Sequence, residues 1–140
     1  MTNPTTTTRL IILNTVFAAS VAAAWQLGYV QFLFNGDQSY ASHTIAVIVA
    51  VSAAAAFYTG KHLLRAAWLC EVLGFVGTLV GITMGLSGAD LSTTEGLIAA
   101  GNSLYVGMGT AFCSTLVGVA GMLWLWAAAQ VRGVEQGEGK

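Results

Sequence analysis

The stretch LGFVGTLVGITMGL, Leu73 to Leu86, decides how the rest of the chain is read. It is uncharged and long enough to be a helix, yet it holds four glycines and two threonines. In water each glycine would cost about 1 kcal/mol against alanine. Gly77, Gly81 and Gly85 recur every fourth residue, and Gly74 lies three before Gly77, so the glycines form one stripe along a helix. In a bilayer such a stripe is useful. Apolar side chains gain little by leaving hydrocarbon, and helices associate through close van der Waals contact of small residues. The stretch therefore predicts a membrane helix packed closely against a neighbour.

The whole chain agrees: 56% of its 140 residues are hydrophobic and 8% charged, against roughly 25% charged in soluble domains. The fold class expected is all-α, a polytopic membrane protein. Spans of about 20 residues, each crossing about 30 Å of hydrocarbon, fit at about 10–34, 44–59, 66–86 and 104–131. Residues 1–132 then form one four-helix transmembrane domain, leaving no room for a separate soluble one. The first span follows a polar MTNPTTTT lead and Arg9. Its positive residue, apolar core and AAA segment also resemble a secretory signal peptide, but it is read as a retained helix.

NGDQS, Asn35 to Ser39, makes the first loop, KHLLR, Lys61 to Arg65, the second, and SGADLSTTEG, Ser87 to Gly96, the third. The second span is short and is expected to begin nearer Tyr40 or to tilt little. In the third loop Ser92 and Glu95 have the spacing of a capping box. From Gly96 to Val131 no residue is charged. A continuous helix of that length would reach about 54 Å, so either it projects beyond the membrane or GNS, Gly101 to Ser103, interrupts it. Residues 133–140 are glycine-rich and charged and are expected to be a disordered cytoplasmic tail.

Arg9, Lys61, Arg65, Arg132 and Lys140 fall on one side of this layout, and Asp37, Asp90 and Glu95 on the other. The positive-inside rule puts both termini and KHLLR in the cytoplasm. Trp25, Tyr29, Trp68, Trp124 and Trp126 suit interfacial aromatic belts. Cys70 and Cys113 both lie inside apolar runs, which favours buried packing over a disulfide framework. The net charge of −1 gives no reason to expect nucleic acid.

Enzymatic chemistry finds no support. His43 and His62 fall on opposite sides, neither in a metal-ligand spacing, and no nucleophile, base and acid lie plausibly together. No phosphate-binding loop follows a strand. No cofactor or metal is expected.

The fourth span offers the third a mate in Gly107, Ala111, Ser114, Gly118 and Gly121, again spaced by three and four. The stripes predict that the third helix packs on the fourth or on a neighbouring subunit. Thr78 and Thr115 sit in the same two spans. A lone membrane threonine usually bonds its own helix at i−4, but the surroundings of these two carry more. GFVGTLVGITMGL followed by GMGTAFCSTLVGVAG resembles the two-helix signature of the MotA/TolQ/ExbB proton-channel family. In that family an outgoing helix carries G-x-x-G-T-x-x-G-I and a returning one G-x-x-x-A-x-x-x-T-x-x-G. Gly74, Gly77, Thr78, Gly81 and Ile82 match the first, and Gly107, Ala111, Thr115 and Gly118 the second.

The resemblance covers about residues 71–129 and implies a pentameric ring in a bacterial cytoplasmic (inner) membrane. The ring would surround a single-span partner of the MotB/TolR/ExbD kind bearing a mid-membrane aspartate. It implies that Thr78 and Thr115 line the ring interior beside that aspartate, on the ion pathway. A hydroxyl suits this, since it donates to a carboxylate and accepts from a carboxylic acid. The driving force would be about 2.3 kcal/mol per proton per 100 mV.

The chain departs from the family's pattern in three ways. Its only proline is Pro4, KHLLR leaves no cytoplasmic domain that could transmit torque to a rotor, and Thr110 stands where TolQ- and ExbB-like chains often have an acid.

Glu71 lies seven positions before Thr78, on the same helical face and about 10 Å nearer the cytoplasm. It has two readings: an exit carboxylate for protons, or an interfacial residue paired with Arg65 or Lys61. Two functions thus stand side by side, an ion-driven channel or motor subunit, and a structural subunit whose stripe only joins helices or assemblies.

Overall fold

The computed structural model describes residues 4–87 and 92–133, and among them every regular element is a helix. The helices are α1 (Pro4–Gln26), α2 (Tyr29–Gly36), α3 (Ala41–Ala55), α4 (Leu63–Leu86) and α5 (Thr94–Val131). α1, α4 and α5 are long and apolar enough to cross a membrane, while α3 is a shorter apolar helix. With 15 residues, α3 reaches about 22 Å, less than the hydrocarbon core.

The first run, expected as one helix over 10–34, is two. Gly28 adopts a left-handed conformation at φ +79°, which ends α1 and caps α2. Glycine takes that backbone without the penalty a Cβ imposes. α3 begins at Ala41 after Tyr40, close to the expected start.

α5 resolves the question of its length, because it runs unbroken through Gly101 to Ser103. Its 38 residues span about 57 Å. Its N-cap is Thr93, whose hydroxyl accepts from the Gly96 backbone N–H at 3.0 Å. The cap therefore stands one residue after Ser92, and the third helical position holds Gly96, which has no side chain to reach back. Glu95 instead lies in the first turn, where a negative charge complements the helix dipole. The expected disorder of the tail concerns residues 134–140, outside the described residues.

α4 and α5 form the backbone of the fold. The buried positions of α4 are Leu63, Ala66, Ala67, Cys70, Gly74, Gly77, Gly81 and Gly85, a single face with helical spacing. Against it α5 sets Gly107, Ala111, Ser114 and Gly118. The contact is between backbones. A Cβ added at Gly74 would stand 3.2 Å from Gly118 Cα, and one at Gly118 would stand 2.8 Å from the Cys70 carbonyl oxygen. Gly121, expected in the same stripe, lies where α3 joins the pair, with Val49 and Ile45 over it and the Cys70 sulfur of α4 at 3.5 Å from an added Cβ.

The stripe on α4 is thus consumed inside the chain. α4 ends opposite Ser103 and Leu104, so the first eight residues of α5, Thr94 to Gly101, extend about 12 Å beyond it.

A second core joins the other end, where Leu10 of α1, Ile45 of α3, Leu63, Ala67 and Cys70 of α4, and Trp124, Leu125 and Ala128 of α5 are buried together. Arg132 donates to the Ala56 carbonyl, tying the end of α5 to the end of α3. The start of α1, the α3–α4 connection and the end of α5 therefore share one end, with Arg9, Lys61, Arg65 and Arg132 near it.

Trp124 is corrected from interfacial anchor to core residue: it is 5% exposed and packed against Phe17, with ring centroids 5.1 Å apart and planes tilted by 36°. Trp25, Tyr29, Trp68 and Trp126 are exposed. Cys70 and Cys113 are buried free thiols.

Candidate functional site

Because α4 and α5 approach so closely, the side chains flanking their glycine seam meet. Thr78 and Thr115 sit at that flank, each half-buried, with hydroxyl oxygens 2.5 Å apart. Each also keeps the bond to its own helix expected of a membrane threonine. Thr78 Oγ1 lies 3.1 Å from the Gly74 carbonyl oxygen, and Thr115 Oγ1 lies 2.9 Å from that of Ala111.

Thr78 reaches the Ala111 carbonyl as well, at 3.3 Å. Ser114, placed in the packing stripe by sequence, adds a third hydroxyl: it donates to Ala111 at 3.1 Å and lies 3.4 Å from the Gly74 carbonyl oxygen. Three hydroxyls thus converge on two carbonyls in the middle of an apolar helix pair.

The proton count shows what this cluster can do. Thr115 has one proton, and the Ala111 carbonyl is its nearest backbone acceptor. At 2.5 Å one proton must lie between the two hydroxyl oxygens. Either Thr78 donates to Thr115 while Thr115 donates to Ala111, or Thr115 donates to Thr78 while Thr78 donates to a backbone carbonyl. Both arrangements leave hydroxyl lone pairs open to an incoming donor, and rotation about the Cβ–Oγ bonds presents a proton to an incoming acceptor. An isolated membrane threonine lacks this choice. Thr83, one turn further on, has only its own Leu79 carbonyl, at 2.7 Å.

The hydroxyl pair lies in the wall of an open groove of about 670 Å³ between α4 and α5. Glu71 stands at one end of that groove, and Phe75, Ile82, Met108, Phe112 and Val119 form its rims. The structure therefore brings together Thr78, Thr115 and Glu71 along one groove. Gly74, Gly77, Gly81, Gly85, Gly107 and Gly118 lie in the packed seam, and Ala111 borders both. The expected pairing of Glu71 with Arg65 or Lys61 is not formed: Glu71 is exposed and has no ion pair among the described residues.

A second polar cluster escaped the sequence reading. Asp37, expected as an acid of an outward loop, is 3% exposed between α2 and α3. Its carboxylate accepts from the Ser39 backbone and hydroxyl at 2.9 and 2.5 Å and from the Ser42 backbone at 2.6 Å. Burial raises its pKa, but the bonds from Ser39 and Ser42 outweigh that and hold it below the usual carboxylate range.

Thr110, the position noted for its missing acid, is buried beside this loop. It donates to the Gly36 carbonyl at 3.1 Å and accepts from the Gln38 backbone at 3.4 Å. The order Asp-x-Ser-x-x-Ser was the available signal, since a carboxylate bonding its own backbone two residues on is a turn device.

Comparison of the chain with protein-family models, with curated proteins and with solved structures finds no match.

Proposed function

We propose that this chain is the ring-forming subunit of an ion-driven membrane channel or motor of the MotA/TolQ/ExbB type. In this reading it is a four-pass protein of a bacterial inner membrane with both termini cytoplasmic. Copies assemble as a homo-oligomer, a pentamer by analogy, around a single-span partner bearing a mid-membrane aspartate. α4 and α5 turn their groove toward the lumen. The Thr78–Thr115 pair receives the partner's proton-carrying carboxyl group and accompanies it through both protonation states. Glu71, about 10 Å along the same face, is the next polar group toward the cytoplasmic end.

The observation that carries this reading is the inter-helix hydroxyl pair in the wall of an open groove with a carboxylate at its end. The pair is satisfied within the helix pair, and it still offers lone pairs to an incoming donor. The cationic ends of α1, α4 and α5 lie together, in keeping with the proposed orientation. The alternative, a structural subunit without conduction, relied on the glycine stripe to join subunits. That stripe is occupied within the chain, which weakens the alternative.

The test is to isolate the protein with its copurifying small membrane proteins, reconstitute the complex in vesicles, impose a potential and follow internal pH. Wild-type complex discharges the gradient. Thr78→Val with Thr115→Val lowers the flux about tenfold, the equivalent of about 1.4 kcal/mol, while Thr83→Val leaves it unchanged. Full flux in the double variant, or a purified assembly with no aspartate-bearing span, would refute the proposal.

A further inference from the structure

A larger cavity, about 730 Å³, lies on the other side of the bundle between α1, α2, α3 and α5. Its size falls within the roughly 300–1,000 Å³ of ordinary ligand sites. Its walls are apolar: Val21, Phe34, Val49, Ala53, Leu116 and their neighbours. It separates α1 from α3, and α1 is accordingly the least embedded of the long helices, with 6% of its apolar window buried against 44% for α5.

Three residues of the lining carry polar groups, and one of them, Ser20, donates to the Val16 carbonyl of its own helix at 2.9 Å. Trp124, 95% buried, has an indole N–H with no acceptor, and the Asn14 side-chain N–H₂ group is buried and equally unpartnered. Buried N–H groups without partners are rare and unfavourable. Two of them on one cavity call for an occupant that brings an acceptor and no donor.

From the geometry we infer that this cavity holds one acyl chain of a glycerophospholipid, with its ester carbonyl accepting from Trp124 and Asn14. Depth supports the ester. Asn14 lies five residues beyond Arg9, about 7.5 Å, and Trp124 eight before Arg132, about 12 Å. With the two arginines among the headgroups and an interfacial layer of about 5–7 Å on each side, Asn14 lies close to the boundary where headgroup meets hydrocarbon and Trp124 about 5–7 Å inside it. The chain then fills the space between α1 and α3 and fastens the peripheral α1 to the bundle.

The test uses the full chain with Trp25, Trp68 and Trp126 changed to Phe, leaving Trp124 as the only indole. It is reconstituted in phosphatidylcholine vesicles with or without bromine on the acyl chains. Brominated chains halve the Trp124 emission or quench it further, and Ala50→Phe, which fills the cavity, restores most of it. Emission untouched by bromine, quenched equally in Ala50→Phe, or shifted to the red of a hydrated indole overturns the inference.

Native mass spectrometry from detergent gives an independent reading that does not rely on Ala50→Phe folding correctly. One phospholipid mass stays with the unmodified chain. Its retention falls about tenfold when Asn14→Leu and Trp124→Phe remove both N–H donors at similar bulk. Equal retention in that variant, or a retained molecule that carries no ester, such as an isoprenoid quinone, also overturns it.

Discussion

A single methyl group at Gly81 tests the packing on which the candidate site depends. Built on the backbone, an alanine Cβ there stands 2.5 Å from the Gly107 carbonyl oxygen, 2.7 Å from the Ala111 nitrogen and 3.2 Å from Ala111 Cα. All three are main-chain atoms, so no rotamer can relieve the conflict. Ordinary contact begins at 3.4 Å, and the closest approach falls 0.9 Å short of it. α4 and α5 must therefore part by nearly that distance around Gly81. A gap of 0.5–1 Å forfeits about a quarter to a half of each dispersion contact it opens.

Overpacking of this kind costs about 1–3 kcal/mol, offset in part by alanine's advantage in a helix, about 1 kcal/mol in water. Gly81→Ala should destabilise by about 0–2 kcal/mol on these terms and stand about 1–3 kcal/mol below a variant that has the propensity gain alone. Gly109→Ala is the control. It lies in α5 with nothing within 4 Å of its added Cβ, so only the propensity gain applies. Reversible unfolding in mixed micelles, followed by far-ultraviolet circular dichroism, would separate the two. If Gly81→Ala proved as stable as Gly109→Ala, the backbone-to-backbone account of the α4–α5 seam would be wrong.

Two further expectations concern other elements. Gly28→Ala meets no atom within 4 Å, so its effect isolates the left-handed backbone at φ +79° and should cost about 1–2 kcal/mol; a neutral result in the same unfolding assay would show that the break between α1 and α2 is not held there. Asp37 has a depressed folded-state pKa, so its contribution is complete above the unfolded carboxylate value, about 3.9, and is lost as pH falls through the lower folded value. Asp37→Asn should therefore lower the melting temperature at neutral pH, and wild type and variant should converge on acidification below about pH 4; a difference that persisted undiminished in acid would argue against the carboxylate as its source.

How much of this was legible in the residues varies with the range of the interaction. The seam was, because a three-and-four spacing of small residues is local information and small residues in lipid have few uses besides close contact. The family resemblance singled out Thr78 and Thr115 together, but their direct contact across the seam was not foreseen, since it depends on the register of two helices. The break at Gly28 was not legible, since one glycine in an apolar run fits a continuous helix as well as a left-handed turn.

Trp124 was misplaced, and the burial of Asp37 within its loop went unread, for a shared reason. Sequence assigns charge to solvent and indoles to the interface by type, whereas the bonds of Ser39 and Ser42 and the packing of Phe17 are tertiary facts that reverse both assignments. The capping residue shifted by one because Ser92 and Thr93 are both competent caps. Glu71 illustrates the opposite limit: nearness along the chain to Arg65 suggested an ion pair, but an exposed pair returns little for the side-chain entropy it consumes.

The glycine seam also restricts how the molecule can move. Two helices locked main chain to main chain have no pliable layer between them, so α4 and α5 can shift only as one stiff lever, and packed interfaces of this sort switch between discrete arrangements instead of creeping. Any stroke the protein performs must then be absorbed elsewhere, at the glycine joint between α1 and α2 and in the short connector before α4. The stretch of α5 that runs past the end of α4 would carry that displacement beyond the helix pair like the tip of a pointer.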